Sequence, residues 1–467
     1  MSSISARLGQ AAFAGGLLVA LAWGTAPFAE VDSWWHLREG EHILQTWSLV
    51  GTDPWASCAD RPYVATQWLP EAVAAWLVGA VGLWGVVWLR AVAVIALYLV
   101  LYVLTRQPAG RLPASLASAV AVLGAGASLN PRPQLVSFVL FAVVYLAWWR
   151  TMKDHRLRWW LVPVFWLWGC CHPLWMFGLL LGAVMSVFLA VRPRDHRPDR
   201  RNLVALNVAC AAVLAITPLG PRLLTVPFDV AGNAAWIAEE WRATPLNNVF
   251  AFATLGLFLV TALLWVRRPQ ARPPWQYAVL ALGLGMALWM WRLVPLACIL
   301  GAPLFASALQ HALGRPAELR GRREWRVVAL AGLVAALVAA GTAAGPKGAA
   351  AQTYPGRMDG VSARLDALPA GTVVLNDFGV SGWLLWEHPD LHPVVDLRVE
   401  IYSAEYLRSF IRTEQVRPGW QDFIARVQPD VALVARDSAL GDALVHRLGW
   451  RPVASSKDFV LLAPDSP

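Results

Sequence analysis

Asp32 and His36 stand four residues apart in Glu30-Val31-Asp32-Ser33-Trp34-Trp35-His36-Leu37-Arg38, directly after the first long apolar run of the chain. On a helix this spacing puts both side chains on one face. A carboxylate held there can take the proton of an acceptor hydroxyl as general base. It can equally hold a divalent cation, Mg or Mn, against a phosphate, the one cofactor the sequence leaves open. Glu30 supplies a second acid. Ionisable groups at the mouth of a membrane helix are costly and mark sites or pathways more often than they stabilise. Trp34, Trp35, Ile43, Leu44 and Trp47 give the same helix an apolar side with which to lie on the membrane.

Other chemistry-bearing residues are scattered. Arg132 sits between two prolines and Arg292 between Trp291 and Leu293, each a single cation at the end of an apolar run. Snorkelling to headgroups is one use for them; gripping the phosphate of a lipid carrier with a guanidinium fork is the other. His172 follows a short apolar run, which suits either a cavity or a helix end. Glu71 opens a further apolar stretch. Glu239 and Glu240 lie in a loop flanked by tryptophans, and one of them could complete a carboxylate pair with Asp32.

Composition decides the class of protein that must position these groups. Of 467 residues, 57% are hydrophobic and only 15% charged, against about 25% charged in soluble domains. The mean hydropathy is +0.49. Many of the 27 tryptophans fall at the ends of apolar runs, where amphipathic rings settle at headgroup level. The net charge of +9 comes from arginines in short loops, which is a topology signal and not a nucleic-acid footprint. Five cysteines without C-x-x-C or His/Cys spacing read as small apolar filler. The run 9–28 has a weak basic start and reads as a retained helix, not a cleaved signal.

Apolar runs of about membrane-spanning length recur at 9–28, 83–105, 112–128, 133–149, 159–171, 174–191, 203–217, 249–266, 275–290, 293–313 and 327–344. The fifth is short and can end inside the membrane; the run 68–80 is too short to span and suits the interface. Alternate loops are basic, with Arg106 and Arg111, then Arg150, Lys153, Arg156 and Arg158. The series continues through Arg192 to Arg201, through Arg267, Arg268 and Arg272, and from Arg315 to Arg326. The positive-inside rule then predicts about eleven spans, a cytoplasmic N-terminus and a chain from about 350 onward outside. Every candidate site residue falls on the outer side.

Beyond residue 350 the composition is that of a small soluble domain. Strands are predicted at 372–376, 393–396, 431–434 and 459–462, with helices at 403–413, 420–427 and 438–448 between them. The expected architecture is thus a polytopic all-α membrane domain over 1–349, with its first outer loop at about 30–67, and an α/β domain over 350–467. Asn376, Asp377, Asp396 and Arg398 at strand ends suit turn capping, or the binding of an acceptor. Asp377-Phe378-Gly379 lacks every companion of a kinase motif. There is no P-loop, no G-x-G-x-x-G after a strand and no H-E-x-x-H.

The segment Glu30 to Leu44, with Asp53-Pro54-Trp55-Ala56-Ser57 and Gln67-Trp68-Leu69-Pro70-Glu71, resembles bacterial membrane proteins of the GT-C glycosyltransferase superfamily. That group includes protein O-mannosyltransferases and lipopolysaccharide aminoarabinose transferases. The similarity is strongest to a branch with D-x-D-x-W-W-H-L, D-P-F-S, R-P-Q, N-x-H-G and a C-terminal G-x-L-x-W…D-x-R. These fall here on Glu30 and Asp32, Asp53-Pro54, Arg132-Pro133-Gln134, Cys170 to Pro173, and Gly382 to Arg398. Glu30 replaces the first Asp, and Cys170 and Pro173 replace the Asn and Gly around the histidine.

The resemblance implies a polyprenyl-phosphate sugar donor, inversion at the anomeric carbon, and an acid of the first outer loop at the active site. Asp32 becomes the base or metal-binding acid, with Glu30 and His36 beside it. Arg132 and Arg292 become the phosphate grip, with His172, Glu71, Glu239 and Glu240 as further substrate-binding candidates. The implied partners are a lipid-linked donor, membrane lipids, and a glycan, lipid or protein acceptor, with no nucleic acid, in the bacterial inner membrane. The alternatives are a transporter or flippase of a lipid-linked glycan, which predicts mid-span acids and an inverted repeat, and a catalytically silent envelope scaffold.

Overall fold

A computed structural model describes residues 2–26, 30–193, 196–314, 316–318, 321–345 and 358–465. The chain forms two compact units. The first comprises Met1–Ala26, Val81–Pro227 and Ala235–Ala349; the second comprises Pro27–Ala80, Phe228–Ala234 and Ala350–Pro467. The predicted boundary at 349/350 lies outside the described residues, as do Arg315 and Arg320 of the last basic loop.

The first unit is helical. Among the described residues six helices are long and apolar enough to cross a bilayer: Arg7–Thr25, Trp84–Thr105, Gln134–Asp154, Val249–Arg267, Trp291–Ala312 and Arg322–Ala343. A bent pair of shorter helices makes a seventh if counted as one span. This is a multi-pass membrane protein. Three further predicted runs are the helices Arg111–Gly124, Trp175–Ala190 and Pro274–Trp289. The run at 159–171 is only the helix Leu161–Gly169; at 1.5 Å per residue it covers about 14 Å, roughly half a bilayer core. Val327, Leu330, Leu333, Val334, Leu337 and Val338 are exposed along Arg322–Ala343, as a lipid-facing stripe requires. Trp159, Trp160 and Trp289 are exposed at helix ends.

Close approach in this unit rests on small residues. A Cβ on Gly24 would fall 2.5 Å from the Ala91 Cα, so the first helix can cross Trp84–Thr105 at this depth only with glycine there. The loops separate into two sets by their own hydrogen bonds. In one set, Arg106 donates from Nε to Glu324 at 2.7 Å, the Gly110 amide donates to Gln310 Oε1 at 2.7 Å, Lys153 Nζ donates to the Gln107 carbonyl at 2.7 Å, and Arg192 Nη1 donates to the Met152 carbonyl at 2.9 Å. The other set holds Arg132, His172, Glu240 and Arg292. The helix Gln134–Asp154 runs from the second set to the first, a rise of about 30 Å.

The second unit combines the first loop with the C-terminal chain. The helix Asp32–Thr46 leads into a hairpin of β1 (Val50–Gly51) and β2 (Tyr63–Val64), followed by the helix Trp68–Val81. The C-terminal sheet contains β3 (Val373–Asn376), β4 (His392–Pro393), β5 (Val431–Ala435), β6 (Arg451–Ser455) and β7 (Phe459–Ala463). Its order is β4-β3-β5-β7-β6; β4, β3 and β5 run parallel, while β5, β7 and β6 pair antiparallel. The helices Ala404–Glu414, Trp420–Val427 and Ala439–Leu448 lie where the apolar pattern predicts them. β6 escapes that pattern because its residues are almost all exposed on a sheet edge.

One expectation fails here. The helix Asp32–Thr46 does not offer Trp34 and Trp35 to a membrane: both are buried, and Trp35 packs with Trp55 and Leu385. The helix Ser381–Glu387 lies against it, close enough that a Cβ on Gly382 would fall 2.5 Å from the Val31 carbonyl. Only Leu44 and Trp47 of the expected apolar side are exposed. Tryptophans that look like interfacial anchors in sequence are core residues, because the C-terminal domain supplies the surface they cover.

Candidate functional site

In the second unit, Asp32 opens its helix half-buried, and its Oδ1 accepts the Trp35 indole N–H at 3.1 Å. Glu30 is buried and accepts the Asp32 amide at 3.3 Å. It satisfies one of the amide donors left over at a helix start. Glu30 therefore positions Asp32. His36 sits one turn on, with Nδ1 2.7 Å from Glu71 Oε1. That contact ties the first-loop helix to Trp68–Val81, and Gly40 lets the two helices meet, since a Cβ there would collide with the Glu71 carbonyl.

Two acids of this cluster were not anticipated. Glu39 is buried, and burial, with Glu400, Asp53 and Asp396 adding to it against the pull of Arg398, pushes its carboxyl up to about 8. Burial also pushes half-buried Glu400 up to about 7, with Asp396 and Asp32 raising it further. Glu71 is raised well above the usual range by burial, Glu39 and Glu400. Its Oε2 is buried without a hydrogen-bond partner, which favours the protonated acid. A signal for Glu39 was available: Asp32, His36, Glu39 and Ile43 follow the i, i+4, i+7, i+11 spacing of one helix face.

These shifts fix a pH dependence. A carboxyl with a raised folded-state pKa binds more protons folded than unfolded, so stability is lost as pH rises from the unfolded value through the folded one. For Glu39 that window runs from 4.5 to about 8. The melting transition of the detergent-solubilised protein is expected to fall between pH 5 and pH 8 or so. Glu39→Gln should flatten the slope; an unchanged slope would show that Glu39 ionises freely.

Near this cluster two motifs of the resemblance, far apart in the chain, meet. Arg398 Nη2 donates to Asp396 Oδ2 at 2.6 Å, Nε to Asp396 Oδ1 at 3.2 Å, and Nη1 to Asp53 Oδ2 at 2.5 Å. All three residues are buried, and the guanidinium lies over the Trp55 ring at 4.8 Å. Asp53 Oδ1 also accepts the amides of Trp55 and Ala56, so the Asp-Pro-Trp-Ala turn folds around its own carboxylate. Asn376 donates to the Val395 carbonyl at 2.9 Å, and Asp377 accepts the Gly379 amide at 2.9 Å. The strand-end polar groups are thus structural, and Arg398 is the bolt between first loop and sheet.

In the first unit a second constellation forms. Glu240, on the turn Glu239–Trp241, accepts Arg132 Nη1 at 3.1 Å through Oε2 and Arg292 Nη1 through Oε1. Burial alone would raise Glu240, but Arg292 and then Arg132 outweigh it and hold the carboxyl below its usual range. Arg292 lies over the Trp241 ring, and the Trp291 amide donates to the Arg242 carbonyl at 3.0 Å. Glu239 is exposed.

His172 completes the group. Its Nε2 lies 3.2 Å from Arg292 Nη2, and its Nδ1 accepts the Leu174 amide at 3.2 Å. Burial, then Arg292 and Arg132, drive its pKa well down, so the ring is neutral. A neutral imidazole has one lone pair and one N–H. The two contacts make opposite demands on the tautomer: the Leu174 amide needs the lone pair on Nδ1, and Arg292, which can only donate, needs it on Nε2. The two arginines are a donor set built for an anion with several oxygens.

The described residues do not fit a metal. No group of three or more His, Cys, Asp or Glu side chains among them is placed to hold one, and Asp32 Oδ1 already takes the Trp35 indole. Cys58, Cys171, Cys210 and Cys298 are free thiols.

No protein-family profile matches the chain, and no curated protein matches it in sequence. Solved structures do match in fold. ArnT from Cupriavidus metallidurans, bound to undecaprenyl phosphate, is 16% identical with a TM-score of 0.54, over 99% of this chain and 98% of its own. The Archaeoglobus fulgidus oligosaccharyltransferase AglB, in complex with an inhibitory peptide and a dolichol-phosphate, is 12% identical with a TM-score of 0.59, over 91% and 69%. The same enzyme has been crystallised with Zn and sulfate; it matches there at 10% identity and a TM-score of 0.54, over 91% and 68%. The chain shares the fold of these two solved proteins, as its motifs led one to expect.

Proposed function

We propose that this protein is an inverting membrane glycosyltransferase that moves a sugar from a polyprenyl-phosphate carrier to an acceptor on the outer face of the bacterial inner membrane. The observation that carries the reading is the convergence of Arg132 and Arg292, 160 positions apart in the chain, on one carboxylate beside a neutral His172. A phosphate leaving group needs that donor set. The fold shared with a structure that holds undecaprenyl phosphate adds support.

In the reaction, an acceptor hydroxyl oxygen attacks the anomeric carbon while the bond from that carbon to the phosphate oxygen breaks. The electron pair stays with the phosphate, whose growing charge is met by Arg132 and Arg292. The acceptor proton goes to Asp32, oriented by Glu30 and Trp35. His36 and Glu71 hold the helix that carries Asp32. Eleven crossings, with the N-terminus in the cytoplasm and residues 350–467 outside, accord with the separation of the basic loops from the Arg132–Arg292 set. The acceptor is a glycan, lipid or protein.

Binding of undecaprenyl phosphate to the protein in nanodiscs tests the grip. Removing one charged hydrogen bond costs about 1.5–3 kcal/mol, so Arg132→Gln and Arg292→Gln should each raise Kd by roughly 10- to 150-fold. Unaltered Kd in both variants would sink the reading.

A further inference from the structure

We propose that Glu240 is the specificity-determining residue of this site: its carboxylate holds the place of the donor phosphate, and only an anion able to serve both guanidiniums at once displaces it. The inference rests on the donor-phosphate reading above and deepens it. The carboxylate gives one oxygen to each arginine, Oε1 to Arg292 and Oε2 to Arg132. A phosphate offers the same pair of oxygens on one central atom, with a further oxygen and more negative charge to spare for the two guanidiniums. Glu240 has no third oxygen.

The consequence is discrimination among anions. A carboxylate arriving from a lipid repeats the chemistry Glu240 already supplies, and as a separate molecule it must also give up its freedom to bind. It gains nothing by exchange. A phosphate brings an extra acceptor oxygen and, as the sugar leaves, a second negative charge to match two arginines. The exchange is open to ligand: the Glu240 side chain is 26% exposed, and those of Arg132 and Arg292 are 18% and 20% exposed. The turn that carries Glu240 is three residues long, held through the Trp291 amide and the Trp241 ring, so the carboxylate can leave without unwinding a long helix.

The test uses the full-length protein in nanodiscs with two probes, undecaprenyl phosphate and palmitate. Glu240→Gln should bind undecaprenyl phosphate about tenfold more tightly than the parent and acquire measurable palmitate binding. Glu240→Asp, whose shorter arm cannot reach both arginines, should show a smaller gain of the same sign, and covers the case in which the Gln variant fails to fold. Equal or weaker phosphate binding in the folded variants, or palmitate binding by the parent, overturns the inference: Glu240 would then only brace the arginines. Full-strength phosphate binding by Arg132→Gln and Arg292→Gln would instead remove the donor-phosphate reading itself.

Discussion

Asp32→Asn is expected to lower the turnover of sugar transfer by about 10²- to 10⁴-fold, the usual range for loss of a general base. Undecaprenyl phosphate affinity and the melting transition should stay those of the parent. The asparagine side chain keeps an oxygen for the Trp35 indole and nearly the same volume, so the helix Asp32–Thr46 keeps its place. What disappears is the ability to take a proton. The loss should therefore fall on kcat with KM for the donor unchanged, the pattern of an interaction made only as the reaction proceeds. Glu30→Gln should act more weakly, since Glu30 touches the Asp32 amide and only orients its neighbour. Equal kcat for Asp32→Asn and the parent would move the proton acceptor elsewhere.

Arg398→Gln should damage the fold more than any other single change in the second unit. It leaves Asp53 and Asp396 buried with no cation between them, and breaking a buried ion pair from one side costs about 3–5 kcal/mol. The Trp55 ring loses its stacked guanidinium as well. Thermal unfolding followed by tryptophan fluorescence should show a clear fall in midpoint. The double variant Arg398→Gln/Asp396→Asn should recover part of it, because one orphaned charge is gone; the two effects are coupled and do not add. A double variant as unstable as the sum of its parts would mean the arginine acts through packing alone.

The two clusters differ in how far they could be read in advance. Helix ends and basic loops follow directly from apolar length and arginine placement, which is why Arg132, His172, Glu240 and Arg292 could be assigned to one side of the chain. Their convergence on Glu240 rather than Glu239 could not be read: neighbouring acids are indistinguishable until a turn points one of them inward. The strands of the C-terminal sheet were legible wherever both faces are apolar, as at β5, and not where an edge strand is exposed, as at β6. The docking of the first loop on the sheet was invisible, because Asp53 and Arg398 lie 345 positions apart. Trp34 and Trp35 misled for the same reason: a tryptophan covered by a distant domain and one lying in a headgroup layer look alike in sequence.

On the proposed reading, Arg132 and Arg292 meet the leaving phosphate and Asp32 takes the acceptor proton, with Glu30 and Trp35 orienting it and His36 and Glu71 fixing its helix. The most direct test of transfer from a lipid phosphate is a paired measurement on one nanodisc preparation. Polyprenyl-phosphate sugars are supplied with native membrane extract as the source of acceptor; release of free polyprenyl phosphate is followed alongside binding of undecaprenyl phosphate. The account predicts release by the parent protein, and by Asp32→Asn binding without release. Release by Asp32→Asn at the parent rate, or binding by the parent with no release from any donor, would contradict it.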